Sequence, residues 1–242
     1  MKIAIVTDIH GNSSALRAVL NDIEKNEAEH IYCLGDMVGI GHETNEVLDL
    51  LYSRTDVSFV MGNHEEQFVK IAQSRGTENP SEERRHHEWL VSRTDKTFLE
   101  KLFQLPRQLS VEHNGKTLLF RHYHLDPRGK FLPIDKNPSG EALDAIYQNV
   151  TEDVVCFGHH HPVHFFQTKQ RIYLNPGSLG CYDKPLARYA IIHIAEQIDV
   201  ELKEIPYDNR TFLLKYETLD VPAKNFILRA FHGNQHLKFK PF

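Results

Sequence analysis

Short apolar runs alternate with amphipathic stretches over the first two thirds of the chain. Ile3–Val6 has the length of a buried strand, and a helical pattern follows over about Ser13–Asn26, with Leu16, Val19, Leu20 and Ile23 on one face. The alternation repeats with Ile31–Leu34 as a strand and Glu43–Leu51 as a helix carrying Val47, Leu48 and Leu51. A third strand is predicted at Val57–Val60, with a helix beginning near Glu65. Strand–helix alternation of this kind predicts an α/β core.

The second half is richer in hairpins. Residues 74–96 turn polar and read as an inserted surface segment, partly helical around Trp89 and able to overhang a site. Asn114-Gly115 is a strong hairpin signal joining Gln108–His113 to Lys116–Arg121. A helix over about Gly140–Asn149 precedes a strand at Val154–Phe157, and Thr168–Gln170 turns Val163–Gln167 back onto Ile172–Leu174. Ala187–His193 and Val200–Ile205 complete the strands, and the tail is helical over Phe212–Leu219 and Asn225–Phe231 before an irregular end. Two blocks of strands predict a four-layer α-β-β-α sandwich of two mixed sheets flanked by helices, rather than one parallel sheet. Residues 1–205 then form the main domain with a lid-like insert at about 74–105, and 206–242 a helical extension packed on it.

Composition narrows the function. The 242 residues are 40% apolar, enough for a sizeable core, and 28 Lys+Arg against 33 Asp+Glu give a net charge of −5. That balance argues against nucleic acid as an obligate partner, because phosphate backbones are held by basic faces. No stretch approaches the ~20 apolar residues of a membrane-spanning helix, and the opening apolar run ends at Asp8, too short for a signal peptide. Three scattered cysteines without a CxxC pair fit a reducing cytoplasm. Histidine is the outlying count, at 16, and several of these residues cluster.

Five apolar strands end alike, with a metal-capable side chain one to three residues beyond. Asp8 and His10 follow the first strand, Asp36 the second, Asn63 and His64 the third, His122 the run Leu118–Phe120, and His159, His160 and His161 the run Val154–Phe157. Ligand sites of α/β sheets form beyond the carboxyl ends of the strands, so these residues converge. In an extended segment residues i and i+2 share a side about 6.6 Å apart, so Asp8/His10 and His159/His161 can straddle two ions, with His160 pointing away. Gly11, Gly35, Gly62 and Gly158 stand beside them, as tight turns or close backbone approach would require.

The blocks Asp8-Ile9-His10, Gly35-Asp36, Gly62-Asn63-His64-Glu65, His122 and Gly158-His159-His160-His161, with Asn175-Pro176-Gly177-Ser178, resemble the calcineurin-like metallophosphoesterases. The resemblance runs in order over about residues 1–205. It implies a two-sheet sandwich with a dinuclear centre at the strand ends. One metal would be held by Asp8, His10 and His161 and the other by Asn63, His122 and His159, with Asp36 bridging and His64 the non-ligand acid near the phosphate. The reaction implied is hydrolysis of a phosphomonoester, phosphodiester or polyphosphate bond by metal-bound hydroxide, on a small phosphorylated substrate or a phosphoprotein. Imidazole, carboxylate and amide donors suit Mn, Fe, Co, Ni or Zn, with Mn the first expectation. Two divalent ions and a hydroxide against two carboxylates leave the site about one charge positive, suited to phosphate on an acidic protein.

Around that frame, other residues carry secondary expectations. His124 lies on the same side of its segment as His122 and is the alternative ligand or a substrate contact; Tyr123 stands where the family usually has glycine. Arg128 and Lys130, in a loop stiffened by Pro127 and Pro133, are expected to bind the anion. His86 and His87, with Arg84 and Arg85, either touch substrate from a lid or lie on a solvated face. Asn175–Ser178 reads as a turn supporting the histidine loop, and the end Lys238–Phe242 as a packed or frayed terminus. No cysteine has an arginine six positions on, which excludes a cysteine-nucleophile phosphatase, and no GxxxxGK[ST] stretch occurs. The alternatives are a catalytically silent protein-interaction scaffold and, with less support, a nuclease.

Overall fold

The computed structural model describes residues 1–74, 80–126 and 128–239; residues 75–79 of the expected insert, Pro127, and the tail from 240 onward lie outside the described residues. The chain runs β1 (Lys2–Val6), α1 (Ser13–Lys25), β2 (His30–Cys33), α2 (Thr44–Tyr52), β3 (Val57–Phe59) and α3 (Asn63–Gln73). Helices α4 (Glu82–Val91) and α5 (Lys96–Leu102) follow, then β4 (Gln108–His113), β5 (Lys116–Arg121), α6 (Gly140–Ile146) and β6 (Val154–Cys156). Next come β7 (His164–Gln167), β8 (Ile172–Asn175), β9 (Leu186–Ile194) and β10 (Ile198–Pro206). The last elements are α7 (Arg210–Thr218), α8 (Lys224–Ala230) and a 3-10 turn over Gln235–Phe239.

Two mixed five-stranded sheets result, ordered β10-β9-β1-β2-β3 and β4-β5-β6-β8-β7. Strand alternation builds the layers. Ile3 and Ile5 of β1 face Leu118 and Phe120 of β5 and Val154 and Cys156 of β6 in the core between the sheets. The intervening Ala4 and Val6 face outward onto Leu16 and Val19 of α1 and Val47 and Leu48 of α2. On the other sheet, Leu119 and Val155 face outward onto Leu143 and Tyr147 at the α6 end. Eight α-helices among the described residues thus accompany a sandwich of the predicted kind. None is long and apolar enough to cross a membrane.

Strands β1, β2 and β3 are mutually parallel, as are β5, β6 and β8, so in each sheet the carboxyl ends of these strands lie on one side. Local signals fix the helices that follow. The Asn12 side chain accepts from the Ala15 N–H at the start of α1, and Ser81 does the same for Arg84 in α4.

One segment differs from expectation. The insert is more than a surface excursion: it folds into two helices whose Leu90 and Leu102 are buried in the α-side core. In the tail, Phe212, Tyr216 and Ile227 form a cluster with Ile40 and Cys181 beside the strand ends.

Candidate active site

Backbone conformation, not strand alternation, aims the key side chains. Asp8, His10, Asp36, His159 and His161 all lie in the left-handed region, at φ of 53°, 48°, 51°, 66° and 67°. The expected extended i, i+2 geometry of Asp8/His10 and His159/His161 is therefore corrected: the strands have already ended, and each residue sits in a turn. Such conformations are costly for residues with a Cβ and persist only where surrounding bonds fix them. Here the Asp8 N–H donates to the Gly35 carbonyl (3.1 Å) and the His10 N–H to that of Asp36 (2.9 Å). The Glu65 carboxylate accepts from the backbone N–H groups of Asp36 (2.7 Å), Gly62 (2.8 Å) and Val38 (3.1 Å), tying the β2 loop to the start of α3. At Gly158 a side chain is impossible, since a Cβ would fall on Thr7 Oγ1 and the Asp8 carboxylate.

The Asn175–Ser178 turn supports the loop as expected. Asn175 Nδ2 donates to the Gly158 carbonyl (2.9 Å), and Ser178 Oγ donates to that of Asp8 (2.8 Å).

The side chains then converge. His10 Nδ1 donates to the Val38 carbonyl (3.2 Å) and His122 Nδ1 to the Leu34 carbonyl (2.7 Å), which leaves each Nε2 as a lone pair in the neutral ring. His10 Nε2 lies 3.0 Å from His161 Nε2 and 3.7 Å from Asp8 Oδ1. His122 Nε2 lies 3.1 Å from Asp36 Oδ2 and 3.2 Å from Asn63 Oδ1. Asp36 Oδ2 also stands 3.9 Å from His10 Nε2, so its carboxylate links the two groups, and His159 joins Asp36 and His122 in the second. The centre is a collection of buried acceptors with too few protons among them, and an array of this kind calls for cations.

Its protonation follows the same logic. Burial alone would depress His122, but Asp36 and then Asp8 push its pKa up to about 9, so the same carboxylates that attract a cation also favour a proton on its Nε2. Burial raises the Asp36 carboxyl, yet His122 and His64 bring it well below the usual range. Asp8 is likewise brought down by His10, His122 and His161 against its burial. The donor set fits divalent transition metals. Cys181 Sγ lies with His10 and His161, but burial, with the Asp8 charge, keeps it a thiol.

His64 stands at the edge of this cluster, its Nε2 3.9 Å from Asp36 Oδ2. Its Nδ1 meets Nε2 of His87 at 2.8 Å, and His87 Nδ1 meets the Glu83 carbonyl at 2.9 Å. A carbonyl only accepts, so His87 Nδ1 carries a proton. Burial lowers the His87 pKa, its ring is neutral, and its Nε2 must accept from His64 Nδ1–H. The neutral His64 therefore presents a lone pair at Nε2 toward the cluster.

The other sequence-derived candidates fall in several places. His124 is not in the cluster: it is buried, its Nδ1 2.6 Å from the Tyr147 hydroxyl and its ring on Phe157 and His160, which leaves His122 as the convergent residue. His160 is turned inward against Phe157 and His164 rather than outward. Tyr123 is buried, its hydroxyl donating to Glu66 Oε1. Arg128 and Lys130 are exposed, and their backbone N–H groups close a turn on Asp126 (2.8 Å each). They do not line the cavity of about 420 Å³ that opens over Asp36, Asn63, His64, His159 and His161, whereas Lys136 and Phe231 do. Arg84 pairs with Glu88 along α4 (2.9 Å). Sequence reasoning missed Lys136, Phe231 and the specific role of His87; only the histidine doublet hinted at the last.

The calcineurin-like phosphoesterase superfamily domain matches residues 1–197. The chain is 28% identical over 233 residues to the uncharacterized protein MJ0912 of Methanocaldococcus jannaschii, covering 85% of this chain and 88% of that one. Its fold is similar to that of a metallophosphoesterase from Sphaerobacter thermophilus, with a TM-score of 0.75 and 21% identity over 95% of this chain and 97% of that one. It is also similar to the hypothetical protein PH1004 from Pyrococcus horikoshii OT3, with a TM-score of 0.78 and 21% identity over 96% and 98% of the two chains. The matched span contains the whole cluster from Asp8 to His161, and the chain belongs to the calcineurin-like phosphoesterase superfamily.

Proposed function

We propose that the protein is a hydrolase of phosphoric esters that works with two divalent metal ions, manganese being the first to test, on a small phosphorylated substrate. The observation that carries this reading is the buried convergence of imidazole lone pairs and carboxylates at the ends of parallel strands from both sheets. Asp8, His10 and His161 would hold one ion, Asn63, His122 and His159 the other, and Asp36 would bridge them. When bound, such a pair neutralises phosphate charge and makes water a competent nucleophile near neutral pH.

The chain's own groups supply the rest. Lys136, on the cavity rim, draws the anion in and adds positive charge on an otherwise acidic protein. His64 holds its Nε2 toward the reacting oxygens. Burial depresses its pKa, and an arriving phosphate favours its protonated form again, so that it can hand a proton to the leaving oxygen. His87 holds that ring in the required tautomer.

The test is hydrolysis of p-nitrophenyl phosphate and bis-p-nitrophenyl phosphate after chelation and Mn²⁺ addition. Activity should return with metal. Asp36→Asn should lose metal and turnover together, whereas His64→Ala should keep metal and lose kcat by about a hundredfold. A wild-type protein that binds two ions and hydrolyses neither ester would reject the reading, and loss of metal in His64→Ala would reject the role given to His64.

A further inference from the structure

A second cavity of about 380 Å³ lies between α4 and α8, on the far side of His64 from the metal-type cluster. Ile40, His64 and Phe231 belong to the walls of both cavities. A phosphate over Asp36 and Asn63 would therefore direct the alcohol on its His64 side into this space. The walls there are Ile40, Ile227 and an aromatic corner of Phe226 and Phe231, whose rings meet edge-on at 5.9 Å. Phe226 is 51% exposed, and the inner core does not account for so large an apolar surface beside the cavity.

Besides His64 and His87, which bond to each other, the polar residues on the same walls are Glu82, Glu83 and His86. Glu82 and Glu83 offer carboxylates, and His86 a ring that is 5% exposed. Burial pushes the His86 pKa down to about 4 against the Pro222 and Ile40 carbonyls. Its Nδ1 donates to Pro222 (3.1 Å), and its Nε2 is closed off from solvent, so the ring adds surface but no open polar atom to the wall. No lysine or arginine lines this cavity among the described residues, whereas Lys136 lines the other.

We propose that this cavity is the leaving-group subsite of the phosphoesterase, and that it takes an uncharged aromatic alcohol bearing a hydrogen-bond donor. The inference rests on the reading of the protein as a phosphoesterase. A flat ring fits the Phe226/Phe231 corner, and its N–H or O–H meets Glu82 or Glu83. An anionic leaving group, whether a carboxylate or a further phosphate, meets two carboxylates with no lysine or arginine beside them and is disfavoured.

Phenyl, 3-aminophenyl and 3-carboxyphenyl phosphate test this directly, because their leaving phenols are of similar acidity and differ in what they offer the cavity. With manganese-loaded enzyme, kcat/KM should be highest for 3-aminophenyl phosphate and lowest for 3-carboxyphenyl phosphate, with about a tenfold or larger span. Phe226→Ala, at an exposed position, should raise KM for all three aryl esters several-fold relative to glycerol 2-phosphate. Glu82→Gln/Glu83→Gln should narrow the gap against the carboxylated ester.

Equal kcat/KM for the three esters, or a ranking untouched in the folded Glu82→Gln/Glu83→Gln variant, would overturn the proposal. If no ester is hydrolysed, the enzyme reading fails and the cavity is judged by binding alone. Methyl resonances of Ala223 and Ile227 should then shift on addition of 3-aminophenol and not of 3-hydroxybenzoate, and unmoved resonances would overturn the subsite as well.

Discussion

Two adjacent histidines, 86 and 87, are indistinguishable as sequence letters, yet only His87 bonds to His64 (2.8 Å). With the Glu83 carbonyl at its other nitrogen, His87 acts on His64 as a fixed acceptor, holding the Nδ1–H tautomer. His87→Ala frees the His64 ring to adopt the other tautomer or rotate. We expect kcat for a poor leaving group to fall about tenfold to a hundredfold, with metal content and KM preserved. His87→Gln, whose amide oxygen can accept the same proton, should recover part of the loss, and the His64→Ala/His87→Ala pair should be no slower than His64→Ala. Additive losses in that pair would mean that His87 acts elsewhere. The types and order of the cluster residues were readable from sequence, because each follows an apolar run. Their aim was not, because it depends on left-handed backbone at Asp8, His10, Asp36, His159 and His161. For the same reason Lys136 was passed over for Arg128 and Lys130: a loop's basic residues are visible in sequence, but which of them the loop turns toward the cavity is not.

At the level of elements, legibility followed periodicity. Helix α1 was plain from its apolar stripe, and the β4–β5 hairpin from Asn114-Gly115, which adopt φ of 52° and 71°. Gly115 offers a clean measure of that turn, since a Cβ there would meet nothing within 4 Å and only backbone strain is added. Gly115→Ala should destabilise the protein by about 1 kcal/mol, lowering the melting temperature by about 2–4 °C without altering turnover. A neutral result in thermal unfolding would show that the hairpin relaxes at no cost. Helices α4 and α5 were obscured for the opposite reason. Their sequence is dominated by charged residues, and few side chains, Leu90 and Leu102 among them, anchor them in the core. The tail's helices were visible, but their packing against Ile40 and Cys181 beside the site was not, because it joins segments far apart in the chain.

For the molecule as a whole, the same fold that gathers histidines at the site buries others away from it, and this sets its response to acid. His86 lies between α4 and the Pro222 carbonyl, and His232 packs on the rings of Phe212 and Tyr216. Burial pushes their pKa values down to about 4 and about 3, from an ordinary 6.5. Both groups are therefore neutral in the folded protein at pH 5 and largely protonated in the unfolded chain. The unfolded state binds the extra protons, so their contribution to stability is fully present above pH 6.5. It is lost as pH falls toward 4 and 3, by at most about 1.4 kcal/mol per pH unit for each group. Urea unfolding of chelated protein, in which metal release cannot contribute, should show a midpoint that drops from pH 6.5 to 4.5. His232→Phe keeps a ring against Phe212 and Tyr216 and removes the titration, so its midpoint should fall less steeply over that window. Parallel curves for the two proteins would mean that His232 is protonated as easily inside the fold as outside it, which its burial opposes.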